Sequence, residues 1–501
     1  MIAHVLHWLK GHPVSLFLSS LVIAVAVVVS CTGGNKNNMM TSPNMGTVAV
    51  SISDPPSCAA AVGTAAMQPG TFSDVWITIV SVKAHISATA DPSASGWQEL
   101  APQLNSAPVQ VDLLNLPANG QCLLQQLGSA SLPSGDYQQI RLILLANAAT
   151  SMAPSANACA QLGNVFNCVK DSSGRLHTLD LSSEATTGLK IPPGQIMGGP
   201  LHVAADQSVD LNVDFNTCAS LVAEGNGDFR LKPTLTAGVV SPNMTGISGQ
   251  IVDSVTLKPI AGATVTLQSQ DKSGTDRIAM QAATDSNGHF GFCPLAAGVV
   301  FDVVADALTS SGTAYDATAV FNVPGGTNLG VVPLVAETAA TTGASTGPGT
   351  IQGVITAVNG TTGASIDATL SALQTVTISS ASHTFTVPPF QKPASLTIQV
   401  SSSSSCPMGS PTGAFCGSYS LIVPASNPNV GTVSAGKVTY TAPASGDVLY
   451  TVEADATNPT SNAVMCSPPS QTTSKDLNGM PLKVAPGATT NAARIDFSGC
   501  S

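Results

Sequence analysis

The stretch VDLNVDFN, residues 209–216, alternates apolar and polar side chains along its whole length. Successive side chains of a β-strand point to opposite faces of a sheet, so this period of two separates the apolar from the polar residues. The pattern predicts a strand with one face on a core and a polar face in water. Asp210 and Asp214 on the polar face are candidate ligand-binding residues, because their oxygens could bind a cation or the hydroxyl groups of a sugar.

The composition of the 501-residue chain extends the strand prediction beyond this stretch. Hydrophobic residues make up 43% of the chain, aromatic residues only 4%, and glycine (45) and proline (34) are frequent. Turn formers between short runs of small and β-favouring residues are typical of sheets. We therefore expect an all-β protein built from β-sandwich modules in tandem.

The charge distribution argues against one class of partner. The chain has 17 Lys and Arg against 28 Asp and Glu, a formal net charge of −11. Proteins that bind nucleic acid need clustered Lys and Arg to neutralise phosphates. We therefore expect no nucleic-acid partner.

The N-terminal segment predicts export. Residues 14–29 form an unbroken run of apolar or small side chains. Sixteen helical residues span about 24 Å, which is short for a hydrocarbon core of about 30 Å. The run therefore indicates a cleaved signal peptide, residues 1–30. The residues Val-Val-Ser before Cys31 resemble the lipobox of bacterial lipoproteins, which carry acyl chains on the cysteine that follows it.

The lipobox resemblance implies lipidation of Cys31, with the membrane as a partner through this lipid anchor. Each buried CH₂ group of an acyl chain contributes about 0.8 kcal/mol to anchoring. Residues 31–45 are polar and low in complexity, which predicts a flexible tether. We expect the protein in the bacterial cell envelope, at the outer membrane.

Cysteine usage is consistent with export. Of 11 cysteines, ten remain when Cys31 is set aside, and an even number in an exported chain favours disulfides. Close spacing predicts two short loops, Cys159–Cys168 and Cys406–Cys416. We further expect Cys58–Cys122 and Cys466–Cys500, and we leave open whether Cys218 and Cys293 pair with each other or stay free. The sequence contains no C-x-x-C motif, so we expect no zinc site and no cofactor.

The region of residues 46–240, here called the first region, carries a family resemblance. The segments SISDPP (51–56), VWITIVSVKAH (75–85), LPSGDYQQIRLIL (132–144) and FRLKPTL (229–235) occur in that order. Together with the stretch at 209–216 they resemble the DUF4382 family, a domain of unknown function in exported bacterial proteins. The resemblance implies a β fold and an exported location, and no reaction.

Residues 245–335, the second region, carry another resemblance. The segments ISGQIVD (247–253), PIAGATVTL (259–267) and TDSNGHFGF (284–292) resemble carboxypeptidase regulatory-like domains, which are transthyretin-like β-sandwiches. Such modules have no peptidase centre, and some relatives in the wider fold bind starch-like glycans. The resemblance implies a non-catalytic sandwich, and carbohydrate binding by analogy alone.

The rest of the chain predicts a linker and a third region. Residues 336–349 have the Thr, Ala and Gly composition of a linker. Residues 350–501 contain short alternating segments typical of a β-sandwich or of immunoglobulin-like strand pairs. We call these residues the third region, and we leave open whether they form one domain or two.

Three further residues are candidates for ligand binding. Trp97 follows Ser-Ala-Ser-Gly and is the best candidate for an exposed aromatic ring that stacks on a sugar. Arg141 and Lys190 lie in apolar segments, as do Arg230 and Lys232, and a cation in such a strand needs a partner. Either these cations bind an anion or they form ion pairs with carboxylates of the first region: Asp54, Asp112 or Glu184.

We predict no catalytic residues. The sequence GASTG at 343–347 fits G-x-S-x-G but lies in the linker, without the strand and helix that a nucleophile elbow needs. The histidines are scattered, with no H-x-H or H-E-x-x-H, so we expect no metal.

These patterns predict a lipid-anchored, exported protein that is not an enzyme. Its β modules would act in binding, adhesion or spacing at the cell envelope, with a glycan or another envelope protein as partner. One alternative is a hydrolase or enzyme accessory with a site in residues 46–240. A further alternative is an envelope assembly factor.

Overall fold

The computed structural model describes residues 44–55, 72–119, 122–150, 153–182, 184–224, 227–240, 246–337, 347–390, 396–403, 406–434, 436–459 and 465–500. These residues belong to one compact unit. They form 38 strands, three short 3-10 turns and one four-residue α-helix. The structure confirms the predicted all-β class with several sheets in tandem.

The first region forms two large sheets around one core and a small sheet in which residues 135–137 pair with residues 201–203. One sheet has the order β12-β17-β14-β1-β6-β5, and the other has the order β11-β8-β2-β9-β10-β16-β15, with β3 and β4 also paired to β2. Apolar side chains of both sheets, such as Ile52 and Ile77, pack in the same cluster. The strands and the helix are β1 (Met45–Ser53), β2 (Phe72–His85), β3 (Gln98–Glu99), β4 (Val109–Asp112), β5 (Ala118–Asn119), β6 (Cys122–Pro133), β7 (Gly135–Tyr137), β8 (Gln139–Leu144), β9 (Cys168–Asp171), β10 (Leu176–Asp180), β11 (Leu189–Ile191), β12 (Ile196–Met197), β13 (Leu201–Val203), β14 (Ser208–Phe215), α1 (Thr217–Ser220), β15 (Leu221–Ala223), β16 (Phe229–Leu231) and β17 (Leu235–Val239).

The alternating stretch at 209–216 forms most of β14, but of its polar face only Asp210 is exposed as predicted, and the polar residues that follow are buried. Leu211, Val213 and Phe215 lie in the core, while Asn212 is 4% exposed and Asp214 is 2% exposed. Met280, Pro294 and Ala296 of the second region line the space over this polar face. The prediction of a solvated face was wrong because strand periodicity cannot show that a neighbouring region will cover the polar side.

The second region places three strands in a small sheet and four in a larger one. The small sheet has the order β21-β18-β24. At the turn before β21, Gly288 has a φ of +74° and a Cβ there would lie 2.4 Å from the carbonyl oxygen of Ile251, so only glycine fits. The strands are β18 (Ile247–Asp253), β19 (Thr264–Gln270), β20 (Thr275–Ala283), β21 (His289–Phe292), β22 (Val300–Leu308), β23 (Ala314–Pro324) and β24 (Asn328–Leu334).

The third region continues the larger sheet of the second region on both sides. The order is β32-β31-β23-β22-β19-β20-β28-β27-β34-β35, with β29 also paired to β27. The sheet thus contains strands from both sides of the predicted linker at 336–349. Most of this linker lies outside the described residues. The strands are β25 (Gly349–Asn359), β26 (Thr362–Gly363), β27 (Ile366–Ile378), β28 (Ala381–Val387), β29 (Thr397–Val400), β30 (Phe415–Val423), β31 (Asn429–Ser434), β32 (Lys437–Thr441), β33 (Val448–Leu449), β34 (Thr451–Thr457), β35 (Ser470–Thr473), β36 (Lys483–Val484), β37 (Thr489–Asn491) and β38 (Ile495–Phe497).

Disulfides close loops within regions and join two of them. Three bonds follow the predicted pairs: Cys159–Cys168, Cys406–Cys416 and Cys466–Cys500. The fourth joins Cys122 to Cys293 and so connects the first and second regions. This bond corrects the expected pair Cys58–Cys122 and gives Cys293, whose pairing the sequence left open, a partner in the first region. The sequence did not indicate the bond because the two cysteines are 171 residues apart and come close only in the folded chain.

Several sequence predictions fall outside the described residues. The signal peptide at 1–30, Cys31 and most of the tether at 31–45 belong to this group, as does Cys58. In the described part of the chain, no helix has the length and hydropathy needed to cross a membrane.

We predict that removing the bond between the first and second regions destabilises the protein more than removing a short loop. Cys122→Ser/Cys293→Ser opens a loop of 171 residues, and Cys406→Ser/Cys416→Ser opens a loop of 10 residues. The entropy lost by the unfolded chain grows with loop length, so the first pair should cost about 4 kcal/mol or more, and the second less. Thermal unfolding measures both variants. Equal losses, or a Cys58–Cys122 peptide in non-reducing mass mapping, would contradict the assignment.

Candidate functional site

Two of the predicted ligand-binding residues, Arg141 and Lys190, lie in one row across the larger sheet of the first region. The pairing register places Lys190 of β11 beside Arg141 of β8, and Arg141 beside Lys83 of β2. Lys83 in turn forms an ion pair with Glu99 of β3 at 3.9 Å. Arg141 is 7% exposed, whereas Lys190 is exposed.

Trp97 lies over Arg141, and its ring makes contacts with neighbouring residues of the protein. The centre of the Arg141 guanidinium lies 5.2 Å from the centroid of the Trp97 ring, a cation–π distance. The His85 ring lies 5.1 Å from the same ring, and Trp97 Nε1 donates to the carbonyl of Asp91 at 2.9 Å. The half-buried Trp97 therefore fastens the loop 86–97 onto the sheet, which leaves less of its ring for stacking on a sugar.

Arg141 is held by carbonyl groups rather than by an ion pair of its own. Its guanidinium donates to the carbonyl of Thr187 and, at 3.4 Å, to that of Ala90. Burial lowers the pKa of Arg141, and the nearby charge of Asp91 opposes this shift. Two separately predicted candidates, Trp97 and Arg141, therefore lie together, and their contacts join chain segments of the first region.

Asp210 and Asp214 do not form a shared site, although both lie on β14. Asp210 is exposed, whereas Asp214 accepts a hydrogen bond from Ser53 Oγ at 2.8 Å beneath the second region. Burial raises the pKa of Asp214 to about 7, against the opposing effect of that hydrogen bond. Burial also raises the pKa of Asp54 well above its usual value, with Asp214 adding to the shift.

A cleft of about 480 Å³ lies where all three regions meet. Its walls come from the segment after β16 of the first region, from β20 of the second region, and from β27, β29 and β34 of the third region. The charged residues that line it are Lys232, Asp271, Arg277, Glu453 and Asp455. Sequence periodicity did not indicate this cleft, because its lining residues are as far apart in the sequence as Gln195 and Ser470.

Arg230 and Lys232 reach across to strand β27, which corrects the partners expected within the first region. Arg230 donates to Asp367 Oδ2 at 2.6 Å and lies 3.5 Å from Glu224. Lys232 donates to Thr369 Oγ1 at 2.6 Å. Arg230 and Lys232 are two residues apart in the sequence, and so are their partners Asp367 and Thr369. This spacing fits two extended segments side by side, since side chains two residues apart in an extended chain lie on the same face.

Arg277 links the second and third regions at the opposite wall of the cleft. Its two terminal nitrogens contact both oxygens of Glu453 at 2.5 and 3.0 Å, and its Nε donates to Asp271 at 2.9 Å. Burial raises the pKa of Asp271, but hydrogen bonds from Ser273 and Arg277 outweigh this effect and bring it to about 2. This wall is therefore a cluster in which the Arg277 guanidinium joins the carboxyl groups of Asp271 and Glu453.

Lys232 has a different electrostatic environment. Burial lowers its pKa to about 8, which the charges of Asp367 and Asp455 partly oppose and Arg230 reinforces. Lys232 therefore stays mostly protonated at pH 7. Among the described residues, the ammonium donates to two hydroxyl groups, those of Thr369 at 2.6 Å and Thr397 at 3.5 Å.

Within the described residues, no group of His, Cys, Asp and Glu is arranged to hold a metal ion. The acidic residues of the cleft also have protein partners, since Asp271 and Glu453 share Arg277 and Asp455 accepts a hydrogen bond from Ser470.

We predict that the Arg230–Asp367 ion pair contributes far more to the free energy of unfolding than an exposed ion pair does. Asp367 is fully buried, so Arg230→Met leaves an uncompensated buried carboxylate and should cost about 3–5 kcal/mol. The matched control is Lys483→Met, which removes an ion pair with Asp447 in which both side chains are more than half exposed. That change should cost less than about 1 kcal/mol. Thermal or denaturant unfolding compares them, and equal losses would contradict the prediction.

We predict that stability falls as the pH rises from 5 to 8. Burial raises the pKa of Asp214 and Glu337 to about 7 and that of Asp316 to about 6. Because these values exceed those of the unfolded chain, the folded state binds more protons in this range, and the stabilisation is lost as each group ionises. The melting temperature should drop by about 5 °C or more.

The control for this pH dependence is one substitution at a buried carboxyl and one at an exposed carboxyl. Asp316→Asn should weaken the dependence, because Asp316 is 4% exposed. Asp210→Asn should leave it unchanged, because Asp210 is exposed. A melting temperature that rises between pH 5 and pH 8 would refute the assignment.

Comparison with solved structures gives weak, β-rich matches. The shaft pilin SpaA from Lactobacillus rhamnosus GG is 10% identical, with 60% of this chain and 100% of that chain covered, at a TM-score of 0.17. A streptococcal ancillary pilin is 11% identical, with 90% and 99% covered, at a TM-score of 0.16. The Bacillus anthracis TIE protein is 10% identical, with 91% and 51% covered, at a TM-score of 0.15. At these TM-scores the matches carry no argument about function.

Comparison with protein families gives one assignment within the chain. No curated protein sequence matches it. Residues 45–233, almost the whole first region, match the family model described as a domain of unknown function (DUF4382).

Proposed function

We propose that this chain is a lipid-anchored protein of the bacterial cell envelope whose β modules bind or space partners there without catalysing a reaction. The four disulfides between described residues carry the proposal. Disulfides persist in oxidising compartments outside the cytoplasm and are rare within it. The lipobox-like residues before Cys31 support an anchor at the outer membrane.

A spacing or binding role is also supported by the way the regions are joined. The Cys122–Cys293 bond links the first and second regions. Arg230 and Asp367 link the first and third regions, and a shared sheet links the second and third. These links fix the positions of the three regions relative to one another. Such an arrangement suits a protein that presents a binding cleft away from a membrane.

A hydrolase is the second candidate, and one contact favours it. Lys232 Nζ lies 2.6 Å from Thr369 Oγ1, and a lysine with a lowered pKa beside a hydroxyl is one arrangement that activates a nucleophile. Thr369 Oγ1 also lies 3.1 Å from Thr397 Oγ1, and the residues lining the cleft include no histidine. The contact therefore fits a binding role at least as well.

We predict that Cys31 is the site of lipid attachment. Cells that express the full chain and are fed a labelled palmitate should incorporate the label into the wild-type protein. Cys31→Ala should abolish incorporation, because the acylated thiol is gone. Thr32→Ala is the matched control and should retain the label. Equal labelling of both variants, or no labelling of the wild type, would reject the anchor.

A further inference from the structure

Opposite charges lie beside one another in the cleft where the three regions meet. Arg277 contacts the carboxyl groups of Asp271 and Glu453. Burial lowers the pKa of Lys232, and the charge of Asp455 is one of two that oppose this shift. Since three carboxyl groups and two cations line the cleft, an anionic ligand would meet a net negative charge. A cationic ligand would compete with Arg277 and Lys232 for these carboxyl groups, so the charges favour a neutral ligand.

One buried amide of the cleft has no hydrogen-bond partner in the described part of the protein. Gln281 of strand β20 lines the cleft and is only 8% exposed. Its side-chain amide forms no hydrogen bond with any other residue that the structure describes. An amide group has two N–H donors and a carbonyl acceptor, and burial of such a group without a partner is unfavourable. A ligand that both donates and accepts hydrogen bonds would satisfy this amide.

Two charged side chains of the cleft also keep hydrogen-bonding capacity. Asp455 accepts a hydrogen bond from Ser470 through Oδ1, and among the described residues no donor reaches its Oδ2. Lys232 has three N–H donors, and its contacts with Thr369 and Thr397 use two at most. A hydroxyl group can donate to the carboxylate and accept from the ammonium. The cleft therefore suits a neutral ligand that is rich in hydroxyl groups.

Apolar side chains supply the rest of the walls. Ile278, Pro388, Pro389 and Leu396 line the cleft, and the described lining residues include no aromatic ring. A sugar ring presents hydroxyl groups at its rim and C–H groups on its faces, so its faces would pack on these aliphatic surfaces. The volume of about 480 Å³ lies in the range of small-ligand pockets.

We propose that the cleft binds a neutral hexose unit of a glycan, whose hydroxyl groups bond to Lys232, Gln281 and Asp455. The inference deepens the binding role proposed above and rests on it. Lys232 belongs to the first region, Gln281 to the second and Asp455 to the third, so the site exists only when the three regions are joined.

The first test measures binding of neutral sugars to the purified full-length protein at pH 7. The probes are the methyl α-glycosides of glucose, galactose and mannose, which share a neutral ring and differ in the orientation of their hydroxyl groups. Saturation-transfer NMR detects weak binding, and calorimetric titration then gives the dissociation constant. At least one of these glycosides should bind at millimolar concentration, and absence of binding by all of them overturns the proposal.

The second test changes the charge of the sugar that binds and needs no variant of the protein. Its uronic acid adds a carboxylate to the same ring, and its 2-amino derivative adds an ammonium group. Each should bind at least tenfold more weakly than the neutral sugar, because like charges of the cleft would lie beside the added group. Equal or tighter binding of either charged sugar overturns the proposal of a neutral ligand.

Variants then test the individual groups. Gln281→Met keeps the shape of the side chain without its donors and acceptor, and should weaken binding of the neutral sugar at least threefold. Asp455→Asn keeps an oxygen for Ser470 but removes the charge. It should weaken binding of the neutral sugar at least tenfold, because hydrogen bonds to charged groups are the stronger ones, and should tighten binding of the uronic acid. A purely structural role of Asp455 would not produce these opposite changes.

The matched control is Gln126→Met, at an exposed position of strand β6, which should leave binding of both sugars unchanged. Unchanged binding of the neutral sugar by Gln281→Met or Asp455→Asn overturns the assignment of these groups. Palmitate incorporation at Cys31 is measured separately. Loss of sugar binding with intact incorporation rejects the ligand and leaves the anchored envelope protein, whereas the reverse result rejects the anchor alone.

Discussion

The pairing of sheet edges between the second and third regions is the constraint on which the rest of the structure depends. Strands β20 and β23 would each present unpaired N–H and C=O groups at the edge of the second region's sheet. Strand β28 pairs in parallel with β20, and β31 pairs in parallel with β23. A buried backbone group without a partner costs free energy comparable to a lost hydrogen bond. The third region therefore pairs with part of each edge, two residues of β20 and four of β23, and continues the sheet of the second region on both sides.

The cleft follows from that sheet. Strand β20 brings Arg277 to one wall, and β34 beside β27 brings Glu453 to meet it. The first region then closes the third side through Arg230 and Lys232, which contact Asp367 and Thr369 of β27. In a chain with only 9% charged residues, the concentration of charge at this junction distinguishes it from the apolar cores.

The interfaces between regions contain buried polar groups as well as apolar ones. Val304 and Phe321 of the second region pack in one apolar core with Ile351 of the third region, but hydroxyl, amide and carboxyl groups are also buried where regions meet. Asp214 under the second region and Glu337 beside the third are examples, and burial raises the pKa of both to about 7. Protonated carboxyls can be buried at far lower cost than ionised ones. The joined state of the regions is thereby coupled to pH.

Much of the local structure could be predicted, but less of the candidate site. The alternation at 209–216 identified β14 correctly, because strand periodicity is a local property, and close spacing in the sequence found Cys159–Cys168. The isolated cations Arg230 and Lys232 were also recognised as residues that need partners. The sequence left open whether an anion or carboxylates of the first region would be their partners. It did not indicate Asp367 and Thr369, because these residues are 137 residues away and no local pattern identifies them.

The sequence by itself determined that this chain forms strands, that short cysteine loops close within it and that few charges are available to bind a partner. Each of these properties depends on neighbouring residues, through side-chain alternation, loop length and composition. Only the tertiary structure decided that the polar face of β14 is covered, that Cys122 bonds to Cys293 and that Lys232 lines a cleft. These outcomes depend on which surfaces meet when separate sheets pack, and the pairing of distant edges and faces leaves no periodic signal in the chain.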